Sequence, residues 1–220
     1  MLPNAFHGSS GKCWRGARGS PVTWYGIDSI GRQSLDSNKT QMNVKKRNGT
    51  RQNRIRLLSR MNRGRLAIPS FLAALSDALG EPIKSNAFVS LPETDTLLAT
   101  FRQGYRGATD PRAVSYRKFF PQNEESLVFR LASCMAERLS NEHGFFLTKL
   151  SEDSGALDVS VSILLKHAAS VIRFDGDSVS ALSKDRKEGI LIDRNPDDPE
   201  QAYEVTVWGG RWPLLALECE

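Results

Sequence analysis

Five carboxylates crowd one late stretch of the chain: Asp193, Asp197, Asp198, Glu200 and Glu204. Acids packed this densely are the chemistry of a divalent-cation loop or a nuclease centre. The spacing fails both tests. A calcium loop of the EF-hand type needs a fixed alternation of ligands with Gly at its sixth position, and no such Gly stands there. A nuclease carboxylate set needs a catalytic Lys nearby, and Glu204-Val205-Thr206 lacks one. No metal site is expected. What remains is a hairpin loop whose acids form a patch, and such patches steer and select basic partners.

The opposite chemistry lies near the front. Residues 42–65 carry nine basic side chains (Lys45, Lys46, Arg47, Arg51, Arg54, Arg56, Arg60, Arg63 and Arg65) and no acid. Each phosphate that such a run neutralises releases counterions, so it reads as an anion-binding arm, with Lys45, Lys46, Arg47, Arg51 and Arg54 as its first contacts. No aromatic interleaves the charges, so base stacking is not expected, and nucleic-acid affinity would be weak and non-specific. The run repels itself in water and becomes helical around Ile55, Leu57, Leu58 and Met61 only when packed on something. A second basic group, Arg102, Arg106, Arg112, Arg117 and Lys118, surrounds the Gly104–Pro111 loop and reads as a solvated polar face.

Nucleophiles and imidazoles are sparse. Cys13, Cys134 and Cys219 are odd in number, far apart and in no C-x-x-C spacing, so neither a disulfide framework nor a zinc site is expected, and a reducing cytoplasm fits best. Cys134 falls on an apolar stripe and reads as a small core residue. His167 has no Cys, His or carboxylate at triad or ligand spacing; an enzyme site would have to assemble it with Asp175 or Asp193 from afar. Gly8-Ser9-Ser10-Gly11-Lys12-Cys13 fails as a phosphate loop, because Phe6 and Cys13 stand where Gly and Ser or Thr are required. No cofactor is expected.

The elements that would position these groups follow from periodicity. Ile68, Phe71, Leu72, Leu75 and Leu79 recur at three and four, with Pro69 suited to a first turn and Gly80 to a C-terminal cap. Ser90-Leu91-Pro92-Glu93 has capping-box spacing and opens a helix bearing Leu97, Leu98, Phe101 and Tyr105, which Gly104 and Gly107 would end. Asp110-Pro111 predicts a short helix holding Val114, Tyr116, Phe119 and Phe120. Asn123 would cap a long helix with Leu127, Val128, Leu131, Met135 and Leu139 inward, and His143 would stand at a helix C-terminus.

Beyond 143 the pattern changes. Residues 145–150 and 157–163 read as strands, about 161–172 as a helix, and 179–183, 190–193 and 203–208 as further strands. The alternation over Tyr203–Trp208 is clean, with Tyr203, Val205 and Val207 on one face. Strands linked by turns imply an antiparallel sheet covered by helices. The expected class is therefore α+β, a helical N-terminal half packed on a small antiparallel sheet formed by the C-terminal half.

Length and charge set the outer bounds. The chain has 220 residues and a formal charge of +5. Residues 1–120 hold 20 Lys/Arg against 7 Asp/Glu, and residues 121–220 hold 10 against 18. No apolar run is long enough to span a bilayer, and no membrane partner is expected. Residues 1–30 lack the apolar centre of a secretory signal; although Arg- and Ser-containing, they are interrupted by Pro3 and Pro21, which argues against a transit peptide. Residues 1–41 read as disordered or as a non-native extension, with Met42 as the natural start, followed by a basic arm at 42–66 and one α+β domain at 67–220.

The run Val171–Gly209, with its Phe174-Asp175-Gly176-Asp177 turn and its 189–193 and 203–209 strands, resembles small uncharacterised bacterial proteins. Phe101–Phe120 and the basic start at Met42 are similar to the YxiF-like family, over about residues 42–212. That family tends to lie in polymorphic-toxin gene neighbourhoods, so the resemblance implies an accessory or immunity role and carries over no site residues. The leading expectation is thus a non-enzymatic, cytoplasmic protein-binding protein that docks a basic toxin through its acidic loop. A nucleic-acid-associated protein using residues 45–65 is the alternative, and an enzyme whose site is invisible in sequence is the third.

Overall fold

Sequence rules with a short reach are met closely. The computed structural model describes the backbone of residues 34–110, 112–176 and 178–220, and side chains from residue 51 onward within those ranges. Residues 1–33 of the extension expected at 1–41, the rejected phosphate loop and Cys13 lie outside the described residues, as do the side chains of Lys45, Lys46 and Arg47; residues 34–41, read as disordered, are helical backbone. The chain divides into two compact units, Met1–Arg47 and Asn48–Glu220. The described part of the first is helical backbone alone. Residues 48–66, read from charge as an arm, belong to that second unit together with 67–220.

Helix α1 spans Ser34–Leu79. Pro69 lies inside it rather than in a first turn, and the apolar stripe Phe71, Leu75 and Leu79 is buried. Ser90 accepts from the Glu93 amide at 3.4 Å and opens α2, Leu91–Ala108. Helix α3 spans Glu125–Arg138 and begins two residues after the expected cap Asn123, which falls in a preceding 3-10 turn. A one-turn α4 covers Ser151–Ser154. Where one helix was expected after residue 161 there are two, α5 at Val161–Lys166 and α6 at Ala168–Asp175, with His167 at the break between them.

Six strands form one antiparallel sheet: β1 Ser115–Phe120, β2 His143–Phe146, β3 Leu157–Ser160, β4 Ser178–Ser183, β5 Gly189–Arg194 and β6 Tyr203–Trp208. Their order across the sheet is β1-β6-β5-β4-β2-β3. The segment 115–120 was expected to be helical and is the edge strand β1, paired along its whole length with β6. Tyr116 and Phe120 are four apart, a separation that shares a face in either structure, so spacing could not discriminate; the partner strand did. His143 correspondingly opens β2 instead of ending a helix.

The sheet is covered on both faces. One carries Tyr116, Val179, Ile190, Ile192, Val205 and Val207 against the end of α1, α3, α5, α6 and the unforeseen α7, Trp212–Glu218. The other carries Phe145, Leu182 and Trp208 against α2 alone. Trp208 sets that approach: its indole stacks edge-on against Phe101 at 5.0 Å and fills the space beside Gly104, where an added Cβ would overlap the ring. Gly104 therefore sits within the helix as a contact point and not at its end.

The expectation of unpaired thiols is contradicted. Cys134 on α3 and Cys219 just past α7 form a disulfide, with Cα atoms 5.7 Å apart and a sequence separation of 85. Packing of α7 against α3 brings them together, and no local spacing could reveal that. A protein cross-link of this kind persists in an oxidising setting more readily than in a reducing one. Among the described residues, no helix is long and apolar enough to cross a membrane.

Candidate binding surfaces

The acidic loop is built by its own hydrogen bonds. After β5, the Asn195 amide donates to the Ala202 carbonyl at 2.8 Å and closes the loop. Asp198 Oδ1 accepts from the Glu200 and Gln201 amides at 3.1 and 3.2 Å, capping a 3-10 turn at Pro199–Gln201. An Asp at this position satisfies amides that the turn leaves without partners.

Glu204 is committed more deeply. Arg117 Nε donates to it at 2.9 Å, Thr206 Oγ1 at 2.6 Å and the Tyr105 hydroxyl at 3.2 Å. Burial works to raise its carboxyl, but the bonds from Arg117 and Thr206 outweigh burial and hold it below the usual range. Burial and the adjoining carboxylate push the Tyr105 hydroxyl upward. Asp193 is half-buried in a shallow hollow of about 220 Å³ with Phe119, Asp198 and Glu204. Of the five expected docking carboxylates, Asp197 and Glu200 stand exposed, while Asp198 and Glu204 serve the fold.

The basic segment behaves differently. Its cations divide into paired and exposed ones. Arg60 grips Asp95 with two bonds of 2.9 and 2.7 Å and also donates to the Glu152 carbonyl. Arg63 grips Asp153 with two bonds of 2.9 and 2.7 Å. Hydrogen bonding from these arginines holds Asp95 and Asp153 below the ordinary carboxylate range. Gly64, next to Arg63, is buried, and an added Cβ would overlap the Asp153 carbonyl, so a side chain there would part the helix from α4. Self-repulsion, expected to keep this segment in water, is thus offset by acids elsewhere in the chain.

The far side of α1 has no such partners. Arg51, Arg54 and Arg65 are exposed there and make no ion pair among the described residues; Arg56 is exposed too but lies on the side of Arg60 and Arg63. Ile55, Leu58, Met61 and Leu66 accompany them, the last 80% exposed. At 100° per residue, Arg51, Ile55, Leu58 and Leu66 lie opposite Arg60, Gly64 and Phe71. No acid occurs between Asp36 and Asp77.

The second basic group disperses. Arg102 pairs with Glu152 at 3.2 Å, Arg117 with Glu204, and Lys118 with Glu220, leaving Arg106 and Arg112 exposed. Among the described residues, the hollows that Asp175 and Asp193 line do not bring them together with His167. Asp175 lines one beneath α2 and Asp193 another beside the β5–β6 loop, and neither contains His167. Among the described residues, no group of three or more His, Cys, Asp or Glu is placed to hold a metal ion.

Two features escaped sequence reasoning. The Tyr105–Glu204–Arg117 cluster joins three elements, so no motif announces it. Asp175 read as a turn residue and is 3% exposed, at the end of α6. Comparison with known proteins adds no relative: no family model, no curated protein and no solved structure matches the chain.

Proposed function

We propose that this is a non-enzymatic binding protein whose principal contact element is the outer face of α1 and whose target is nucleic-acid phosphate. The carrying observation is the sorting of arginines: Arg60 and Arg63 are consumed in holding the helix to the domain, while Arg51, Arg54 and Arg65 are exposed on the opposite face with no ion pair among the described residues. Such a helix is pre-ordered, so binding carries little of the ordering cost that a disordered arm would bear. Ile55, Leu58, Met61 and Leu66 offer apolar surface for sugar and thymine methyl groups in a groove.

The test is the salt dependence of binding to a duplex DNA and a duplex RNA of mixed sequence. Three phosphate contacts give a slope of about −2.7 in log affinity against log salt on DNA. Replacing Arg51, Arg54 and Arg65 with Gln should flatten the slope by that amount and leave folding intact, since all three are exposed. Unchanged affinity in the triple variant would overturn the proposal. So would binding to anionic phospholipid vesicles together with none to either duplex.

A second reading has its own observation. Asp197 and Glu200 project from a loop whose shape is held by Asn195 and Asp198, a small rigid acidic knob suited to docking a basic protein. The resemblance to the YxiF-like family would make that partner a toxin and the role immunity. Co-purification with a toxin encoded beside this protein, abolished by substituting Asp197 and Glu200 with Lys, tests it.

A further inference from the structure

Beneath α2, on the sheet face that this helix covers, lies a hollow of about 290 Å³, at the small end of the range for ligand sites. Its wall has three kinds of surface. Leu98, Phe101 and Leu147 are apolar, Asp175 contributes a carboxylate, and Arg102 and Lys149 contribute cations at the rim.

The carboxylate is poorly supplied. Asp175 is 3% exposed, yet among the described residues both its oxygens share one donor, the Lys149 amide, at 3.2 Å each. A carboxylate offers about four acceptor sites. A buried charge with so few donors is costly, and a ligand that brings donors recovers that cost on binding. Lys149 Nζ meanwhile donates only a long bond of 3.4 Å to the Phe174 carbonyl. Arg102 makes a single 3.2 Å contact to Glu152, and both members of that pair are more than half exposed. The rim cations are free to turn toward an anion.

An acid within and cations at the rim, with an apolar wall between, match a small zwitterion. We propose that this hollow binds a free α-amino acid with an apolar side chain, its ammonium on Asp175, its carboxylate between Lys149 and Arg102, and its side chain on Leu98, Phe101 and Leu147. The site is separate from the outer face of α1 and does not depend on the nucleic-acid reading.

The experiment titrates the full chain with L-leucine and L-phenylalanine, followed by calorimetry and by chemical-shift changes. N-acetyl-L-leucine lacks the ammonium, and L-leucinamide keeps it but lacks the carboxylate. Saturable binding of a parent amino acid is expected, with losses of roughly 10- to 100-fold for each derivative, as for a lost bond to a charged group. Asp175→Asn should match the loss seen with the acetylated ligand, and Lys149→Met, an exposed change that leaves the fold untouched, the loss seen with the amide. No saturation by about 10 mM, where a millimolar site would be nearly full, would overturn the proposal. Equal affinity for leucine and leucinamide would also overturn it, in favour of an amine or a peptide N-terminus.

Discussion

Asp175 gives the sharpest energetic prediction. Burial is the main cause of its altered acidity and pushes the carboxyl up to about 7, against the smaller opposing effects of the Lys149 amide and ammonium. In the unfolded chain it titrates near its ordinary 3.8. Between these two values the folded protein keeps a proton that the unfolded chain has released. Stability must therefore fall as pH rises through this window, being fully present below about 4 and lost above about 7. At 1.36 kcal/mol per pH unit, the span is about 4 kcal/mol. Asp175→Asn removes the titration and leaves a neutral group of the same shape. Relative to the parent, the variant should be near neutral at pH 3 and more stable by up to about 4 kcal/mol at pH 8. For a urea slope of about 2 kcal/mol per molar, that is a midpoint shift of about 2 M. Other acids, Asp95 and Asp153 among them, have lowered values and titrate in the opposite sense; they are common to both proteins and cancel in the difference. Parallel stability–pH curves for parent and variant would refute the reasoning.

Three further outcomes follow from named contacts. Gly104→Ala should destabilise by about 1–3 kcal/mol in urea melts, because overlap with the Trp208 indole exceeds the ~1 kcal/mol that Ala gains in a helix. Under denaturing conditions, reduction should raise the thiol count by two, from Cys134 and Cys219, and replacing both with Ser should cost about 4.5 kcal/mol for a loop of this length. Glu204→Gln should lose about 1–3 kcal/mol at neutral pH through the Arg117 bond; since the folded carboxyl is held low, this difference should shrink as pH falls through the ordinary carboxylate range.

Short-range rules made much of the fold legible. Alternation in Tyr203–Trp208 specifies β6 to the residue, because a one-residue slip would expose Val205 and Val207. Ser90 and Glu93 mark the start of α2, since a cap acts within one turn. The acidic and basic stretches were likewise visible as composition. What composition could not show was which charges remain available. Glu204 is matched by Arg117 and Tyr105, Arg60 by Asp95 and Arg63 by Asp153, in each case from distant parts of the chain. The same holds for β1, where four-residue spacing suits helix and strand alike until β6 supplies the hydrogen bonds. It holds for Cys134 and Cys219, 85 residues apart in the chain and joined only because α7 packs beside α3. Sequence alone determined the local periods, caps and charge blocks, which are set by neighbours within a few residues. The tertiary structure decided which polar groups are satisfied and which are not, as at Asp175 with its single bonded donor and at the outer arginines of α1 with no ion pair among the described residues, because the energy of a charge depends on what the whole chain brings against it.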